Sequence, residues 1–121
     1  MTESYVYDTY ALLEILNNNK NYAFYLDKNP IINDFIFAEF CYKLIRERVS
    51  NAEDKLNEVI PALVDVEPEI IKEAMKFRSE HKINNLSMTD CISYIMAKNL
   101  GIKFLTGDEE FENLENVEFV K

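Results

Sequence analysis

The sequence predicts an α/β fold with a mainly parallel central sheet of about four strands, covered on both faces by helices. Three observations lead there. Short β-branched and aromatic runs alternate with longer helical stretches, the pattern of strands joined by helical crossovers. The 121 residues suit one domain spanning 1–121 and leave no room for a second full core. Two glycines and three prolines give little punctuation, and no repeat, linker or low-complexity tract divides the chain.

The elements follow in order. Tyr5-Val6-Tyr7 reads as a first strand ending at Asp8, and Thr9 to Leu16 as a helix stopped by Asn17-Asn18-Asn19. Tyr22 to Leu26 adds a short helical turn before Pro30. Ile31 to Val49 is predicted helical by length and lack of breakers. Its first half is apolar on most sides, as in a helix packed between a sheet and another surface. Asn51 to Val59 is a polar helix, closed by Pro61. Ala62 to Val66 is the second strand candidate. Glu67 to His81 is helical, with an apolar stripe at Ile70, Ile71, Ala74 and Phe77. Ser87 to Leu100 is helical too, with Ile92, Ile95, Met96 and Leu100 facing inward and Gly101 at the C′ position. Ile102 to Thr106 and Val117 to Val120 are the last two strands.

Composition narrows the function. With 48% hydrophobic and 29% charged residues the chain is an ordinary globular one, not a disordered one. It opens Met-Thr-Glu-Ser, with no basic segment before an apolar run, which argues against a signal peptide. The most apolar stretch, Ile31 to Tyr42, is broken by Asn33, Asp34 and Glu39 and is too short to cross a bilayer. A cytoplasmic protein without membrane association is expected. Cys41 and Cys91 form no CxxC pair and, with His81 alone, no zinc-type cluster; both cysteines read as small buried hydrophobes and His81 as a surface residue. The net charge is −9, whereas proteins that bind nucleic acid by neutralising phosphates are usually basic. A nucleic-acid role therefore has to rest on bound cations, a local basic strip or a basic partner.

Four carboxylates carry the chemistry. Open parallel sheets bind ligands beyond the carboxyl ends of their strands, and Asp8 and Asp108 each follow a predicted strand. Each has a plainer use as the N-cap of the next helix. Asp90, in Ser87-Met88-Thr89-Asp90, fits a capping box, yet an N3 carboxylate also projects from a helix N-terminus toward the strand tips. Glu39 lies within Phe35-Ile36-Phe37-Ala38-Glu39-Phe40-Cys41-Tyr42, where nearly every direction is apolar and an unpaired carboxylate is costly. Either it pairs with Lys43 at i+4, or it faces a cation site while Lys43 and Arg46 extend a basic strip for a phosphate backbone. Clustered like charges repel unless a cation sits among them. An all-oxygen set suits Mg²⁺ or Mn²⁺. Without a Ser-His or Cys-His nucleophile, such a site points to metal-activated water attacking phosphorus.

These residues resemble a known family. Tyr5-Val6-Tyr7-Asp8-Thr9 followed by Leu12-Leu13, Glu39 in a long second helical segment, Ser87-Met88-Thr89-Asp90, and Phe104-Leu105-Thr106-Gly107-Asp108-Glu109-Glu110-Phe111 are similar to the PIN domain, close to VapC-type toxins. The last two motifs, joined by Ala97 to Ile102, are the specific ones. The resemblance implies an α/β/α sandwich, often dimeric, and a Mg²⁺- or Mn²⁺-dependent endoribonuclease acting on RNA, in many relatives a toxin held inactive by an antitoxin. It matches Asp8, Glu39, Asp90 and Asp108 to the family's acidic positions, with Asp8, Asp90 and Asp108 holding metal and Glu39 orienting a water or a second ion. Thr106 matches a hydroxyl that supports the first aspartate. Two positions depart from the pattern: Glu110, where many members carry a second Asp, and Tyr94, often a small residue. The alternative is a PIN-like binding or scaffold module that acts through partner proteins.

Overall fold

The computed structural model describes residues 2–82 and 85–121. Its elements are β1 (Ser4–Tyr7), α1 (Thr9–Leu16), β2 (Asn29–Ile31), α2 (Asp34–Arg46), α3 (Ala52–Val59), α4 (Pro68–Glu80), α5 (Met88–Leu100), β3 (Lys103–Thr106) and β4 (Val117–Phe119). Short 3₁₀ turns occupy Lys20–Tyr25, Ile60–Ala62 and Glu109–Phe111. All strands run parallel in the order β2-β1-β3-β4. The chain leaves β1 toward one edge and returns at β3 to build the other. The β1–β3 junction is therefore the switch point where such sheets bind ligands. Among the described residues no helix is long and apolar enough to cross a membrane.

Local chemistry explains most boundaries. The Asn33 side chain accepts from Ile36 N at 2.9 Å, so α2 starts after Asn33 and not at Ile31. It ends near Arg48, which takes a left-handed φ of 52°. Ser87 and Asp90 form a reciprocal capping box at the start of α5, and Gly101, at φ 72°, closes that helix. Residues Cys91 to Ala97 are all buried, so α5 is enclosed on every side. It packs on β1 and β3 and carries α4 on its outer side, while α1 lies on β1 and β3 and α2 packs against α1 and α5. The result is the three-layer α/β/α arrangement.

Several expectations are corrected. The second strand is Asn29–Ile31, not Ala62–Val66. Pro30 can sit inside it because β2 is an edge, where a missing N–H leaves no partner unsatisfied. The 62–66 segment follows the Ile60–Ala62 turn and makes a single bridge, Leu63 to Ile32, with Val64 N donating to Ile32 O at 2.8 Å. Its Val64 and Asp65 stay exposed, so no face is buried to extend the pairing. In α2 only Ile36, Phe40 and Leu44 are buried, one stripe at i, i+4 and i+8, while Phe35, Tyr42 and Ile45 face out. Leu100 is likewise exposed. His81 is half-buried, stacked on Phe77 with ring centroids 4.0 Å apart. Cys91 is buried and Cys41 half-buried.

Candidate functional site

The strand tips set the geometry. Asp8 leaves β1 in extended conformation and caps α1, its Oδ1 accepting from Thr9 N at 2.8 Å. Its Oδ2 accepts from Thr106 Oγ1, at the end of β3, at 2.7 Å. The same Thr106 oxygen accepts from Asp108 N at 3.1 Å, so one hydroxyl links the first and last aspartates across the switch point. Asp108 in turn caps the Glu109–Phe111 turn, Oδ1 accepting from Glu110 N at 3.0 Å. Between Thr106 and Asp108, Gly107 lets the Tyr10 ring and the Val120 carbonyl come so close that no Cβ would fit.

Glu39 does not pair with Lys43. Its Oε1 accepts from Thr9 Oγ1 at 2.8 Å, and no carboxylate lies within ion-pair distance of Lys43 among the described residues. Thr9 thus joins Asp8 and Glu39 as Thr106 joins Asp8 and Asp108. Thr9 was not singled out from the sequence; its signal is a hydroxyl adjacent to the strand-end aspartate, uninformative until the helix bearing Glu39 is folded against it. Asp90 Oδ2 accepts from Ser87 N at 2.9 Å while Asp90 N donates to Ser87 Oγ at 3.0 Å.

All four carboxylates line one cleft of about 450 Å³, walled also by Thr9, Tyr10, Leu13 and Lys43. Glu14 lines it too, a further acidic group that the sequence did not flag. Glu110 is exposed and does not line the cleft. Tyr94 is fully buried against Phe104 and Phe111 with its hydroxyl donated to Glu115 O at 2.6 Å, so it takes no part in the cleft wall.

The electrostatics follow from the crowding. Burial, then the negative charge of Asp90, pushes Asp8 up from 3.8 to about 7; the bonds from Thr106 and Thr9 pull the other way, and Glu39 adds to the rise. Asp90 is also raised, first by burial, with Asp108 and Glu39 contributing against the lowering bonds from Ser87. Among the described residues, no three His, Cys, Asp or Glu side chains stand close enough to clasp an ion as they are posed. Their oxygens are engaged by Thr9, Ser87, Thr106 and Glu110 instead. A carboxylate keeps further lone pairs after accepting one such bond. A buried acid raised by its acidic neighbours is what a nearby hard cation would relieve. The donor set fits Mg²⁺ or Mn²⁺ in kind, all oxygen.

Comparison with known proteins agrees with this architecture. The PIN domain model matches residues 5–117. No curated protein matches the chain. Among solved structures, it is similar to a toxin–antitoxin complex from Klebsiella pneumoniae, with TM-score 0.76 at 15% identity, covering 94% of this chain and 95% of that one. Mycobacterium tuberculosis VapC20, described as a Sarcin-Ricin loop cleaving toxin, gives 0.77 at 15% identity over 98% and 100% of the two chains. VapBC2 from Rickettsia felis, bound to a DNA fragment from its promoter, gives 0.75 at 17% identity over 98% and 99%. At these identities the likeness is one of fold.

Proposed function

The chain belongs to the PIN domain family, and from that footing we propose that it is a Mg²⁺- or Mn²⁺-dependent endoribonuclease, the toxin of a toxin–antitoxin pair. The observation that carries the reading is the gathering of Asp8, Glu39, Asp90 and Asp108 around one cleft at the sheet's switch point. The fold likeness to a Sarcin-Ricin loop cleaving toxin supports RNA as the substrate, and the likeness to toxin–antitoxin complexes supports an antitoxin as the partner. A cytoplasmic homodimer, each chain acting as a single PIN unit, completes the proposal.

Asp8, Asp90 and Asp108 would hold the ion, and Glu39, lining the same cleft, would orient the attacking water or a second ion. When bound, the ion supplies charge to neutralise the scissile phosphate and lowers the pKa of a water. Thr106 aims Asp8 and opposes the rise in its pKa, because its hydroxyl bond favours the carboxylate form. Thr9 orients Glu39 by donating to one of its oxygens. Asp8→Asn is expected to abolish Mn²⁺-dependent RNA cleavage with an unchanged circular dichroism spectrum; undiminished cleavage would overturn the assignment. Calorimetric titration with Mn²⁺ distinguishes a nuclease from a scaffold that works through partners, since a scaffold has no need of the ion.

A further inference from the structure

The cleft does not end at the carboxylates. A second depression of about 350 Å³ adjoins it between α1 and α2, and the two share Leu13, Asn17 and Lys43 as common walls. Together they form one trough leading from the strand tips toward Arg46. Beyond the cleft its apolar floor is lined by Leu16, Leu44 and Val49, beside the charged Arg46 and Glu47.

Charge along this trough is uneven. Lys43 is the one cationic side chain among the described residues that line the cleft, opposite five carboxylates. No carboxylate among the described residues lies within ion-pair distance of that ammonium. Arg46, further along, is compensated: its guanidinium bonds Glu47 at 3.1 Å and lies over the Tyr42 ring at 5.6 Å. The trough therefore offers a single cation without a direct ion-pair partner, in the same cleft as the four proposed site carboxylates. An ammonium is a point-charge phosphate binder. The apolar floor suits a base or ribose face, and the Asn17 amide can bond a base edge or a 2′-hydroxyl.

We propose that this α1–α2 trough holds the nucleotide adjoining the scissile bond of a single-stranded RNA, with the Lys43 ammonium gripping its phosphate. The inference rests on the nuclease reading above for the location of the scissile bond, but the grip itself can be measured without turnover. Lys43 binds and positions substrate; it does not take part in the bond-breaking step. In a chain of net charge −9, affinity for RNA then depends on this one side chain far more than on any diffuse basic surface.

The test compares the wild type with Lys43→Ala and Lys43→Arg on a short fluorescein-labelled single-stranded RNA in Mn²⁺. Lys43→Ala is expected to raise KM about tenfold with kcat within about twofold, as for loss of one charge-assisted hydrogen bond. Lys43→Arg should restore most of it. The slope of log KM against log salt concentration should flatten by about 0.7, one phosphate's worth on a single strand. A substrate carrying a neutral methylphosphonate at the adjoining linkage should be bound equally by wild type and Lys43→Ala. An unchanged KM and salt slope, or a loss confined to kcat, would overturn the proposal. If the wild type cuts no RNA, the nuclease reading fails on its own, and fluorescence anisotropy with the same RNA still decides the grip. Weaker binding by Lys43→Ala upholds it; equal binding, or none by the wild type, overturns it.

Discussion

Removing the charge of Asp8 should make the metal-free protein more stable at alkaline pH, although it removes a residue assigned to the proposed reaction. In the unfolded chain Asp8 ionises near 3.8; in the folded protein burial and Asp90 raise it to about 7. Between those values the folded form holds a proton that the unfolded form has lost, so the group favours folding at low pH. That contribution is fully present below 3.8 and disappears as pH rises through about 7. A shift of roughly three units corresponds to a ceiling of about 4 kcal/mol. Asn at this position carries no charge, keeps its amide oxygen for Thr9 N, and meets Thr106 Oγ1 with an amide donor in place of an acceptor. That rearrangement costs about 1 kcal/mol. Urea unfolding of both proteins in chelator, at several pH values from about 4 to about 9, isolates the effect, because groups uncoupled to Asp8 cancel in the difference. Asp8→Asn should be level with or slightly below the wild type at the acid end and clearly above it at the alkaline end. Mn²⁺ should then stabilise the wild type by about 3 kcal/mol at a hundredfold excess over its Kd and leave the variant unmoved. A stability difference independent of pH, or one that moves in the wild type's favour as pH rises, would refute the reasoning.

Two further substitutions test the framework around the site. Thr106→Val keeps the shape of the side chain but deletes the bond to Asp8 and orphans Asp108 N; it should cost about 2 kcal/mol in urea unfolding and, because the lost bond lowered Asp8, move the acid limb of the pH–activity profile upward. Gly107→Ala would drive a methyl into the Tyr10 ring and the Val120 carbonyl, and a loss of about 1–3 kcal/mol in thermal or urea unfolding is expected from overpacking.

Where the chain carries a strong local signal, its structure could be read directly. Ser87, Asp90 and Gly101 mark both ends of α5, and Tyr5-Val6-Tyr7 and Phe104-Leu105-Thr106 are strands in place because each is buried where it pairs. Strand β2 could not be read this way. Three residues with a proline in the middle carry no strand signal, and they pair only because β1 offers an edge. The outward face of α2 was hidden for a related reason, since apolar composition does not say how many sides of a helix find neighbours. At the site, Asp8, Asp90 and Asp108 were legible as candidates from strand ends and a helix start, and Glu39 from the apolar run around it. The choice between a Glu39–Lys43 pair and a free Lys43 was not, because it turns on Thr9, 30 residues from Glu39 in sequence. Glu14 escaped for the same reason, as nothing local aims it at the cleft.

Most of the acidic residues at the cleft hold the chain in shape as well as line the cavity. Asp90 closes a capping box, Asp108 caps the turn that seats the fully buried Phe111, and Asp8 starts α1. A library of variants scored separately for cellular abundance and for the proposed RNA cleavage would therefore sort them unequally. Alanine at Asp90 or Asp108 would depress both scores through lost caps, whereas asparagine, itself a good cap, would spare abundance. Glu39, which caps nothing, would tolerate either replacement in abundance while losing function. Asp8→Asn, which keeps the oxygen that caps α1, should likewise spare abundance while losing function. The acidic cluster thus gives selection a graded set of ways to silence such a protein, from variants that the cell must degrade to variants that persist as inert copies.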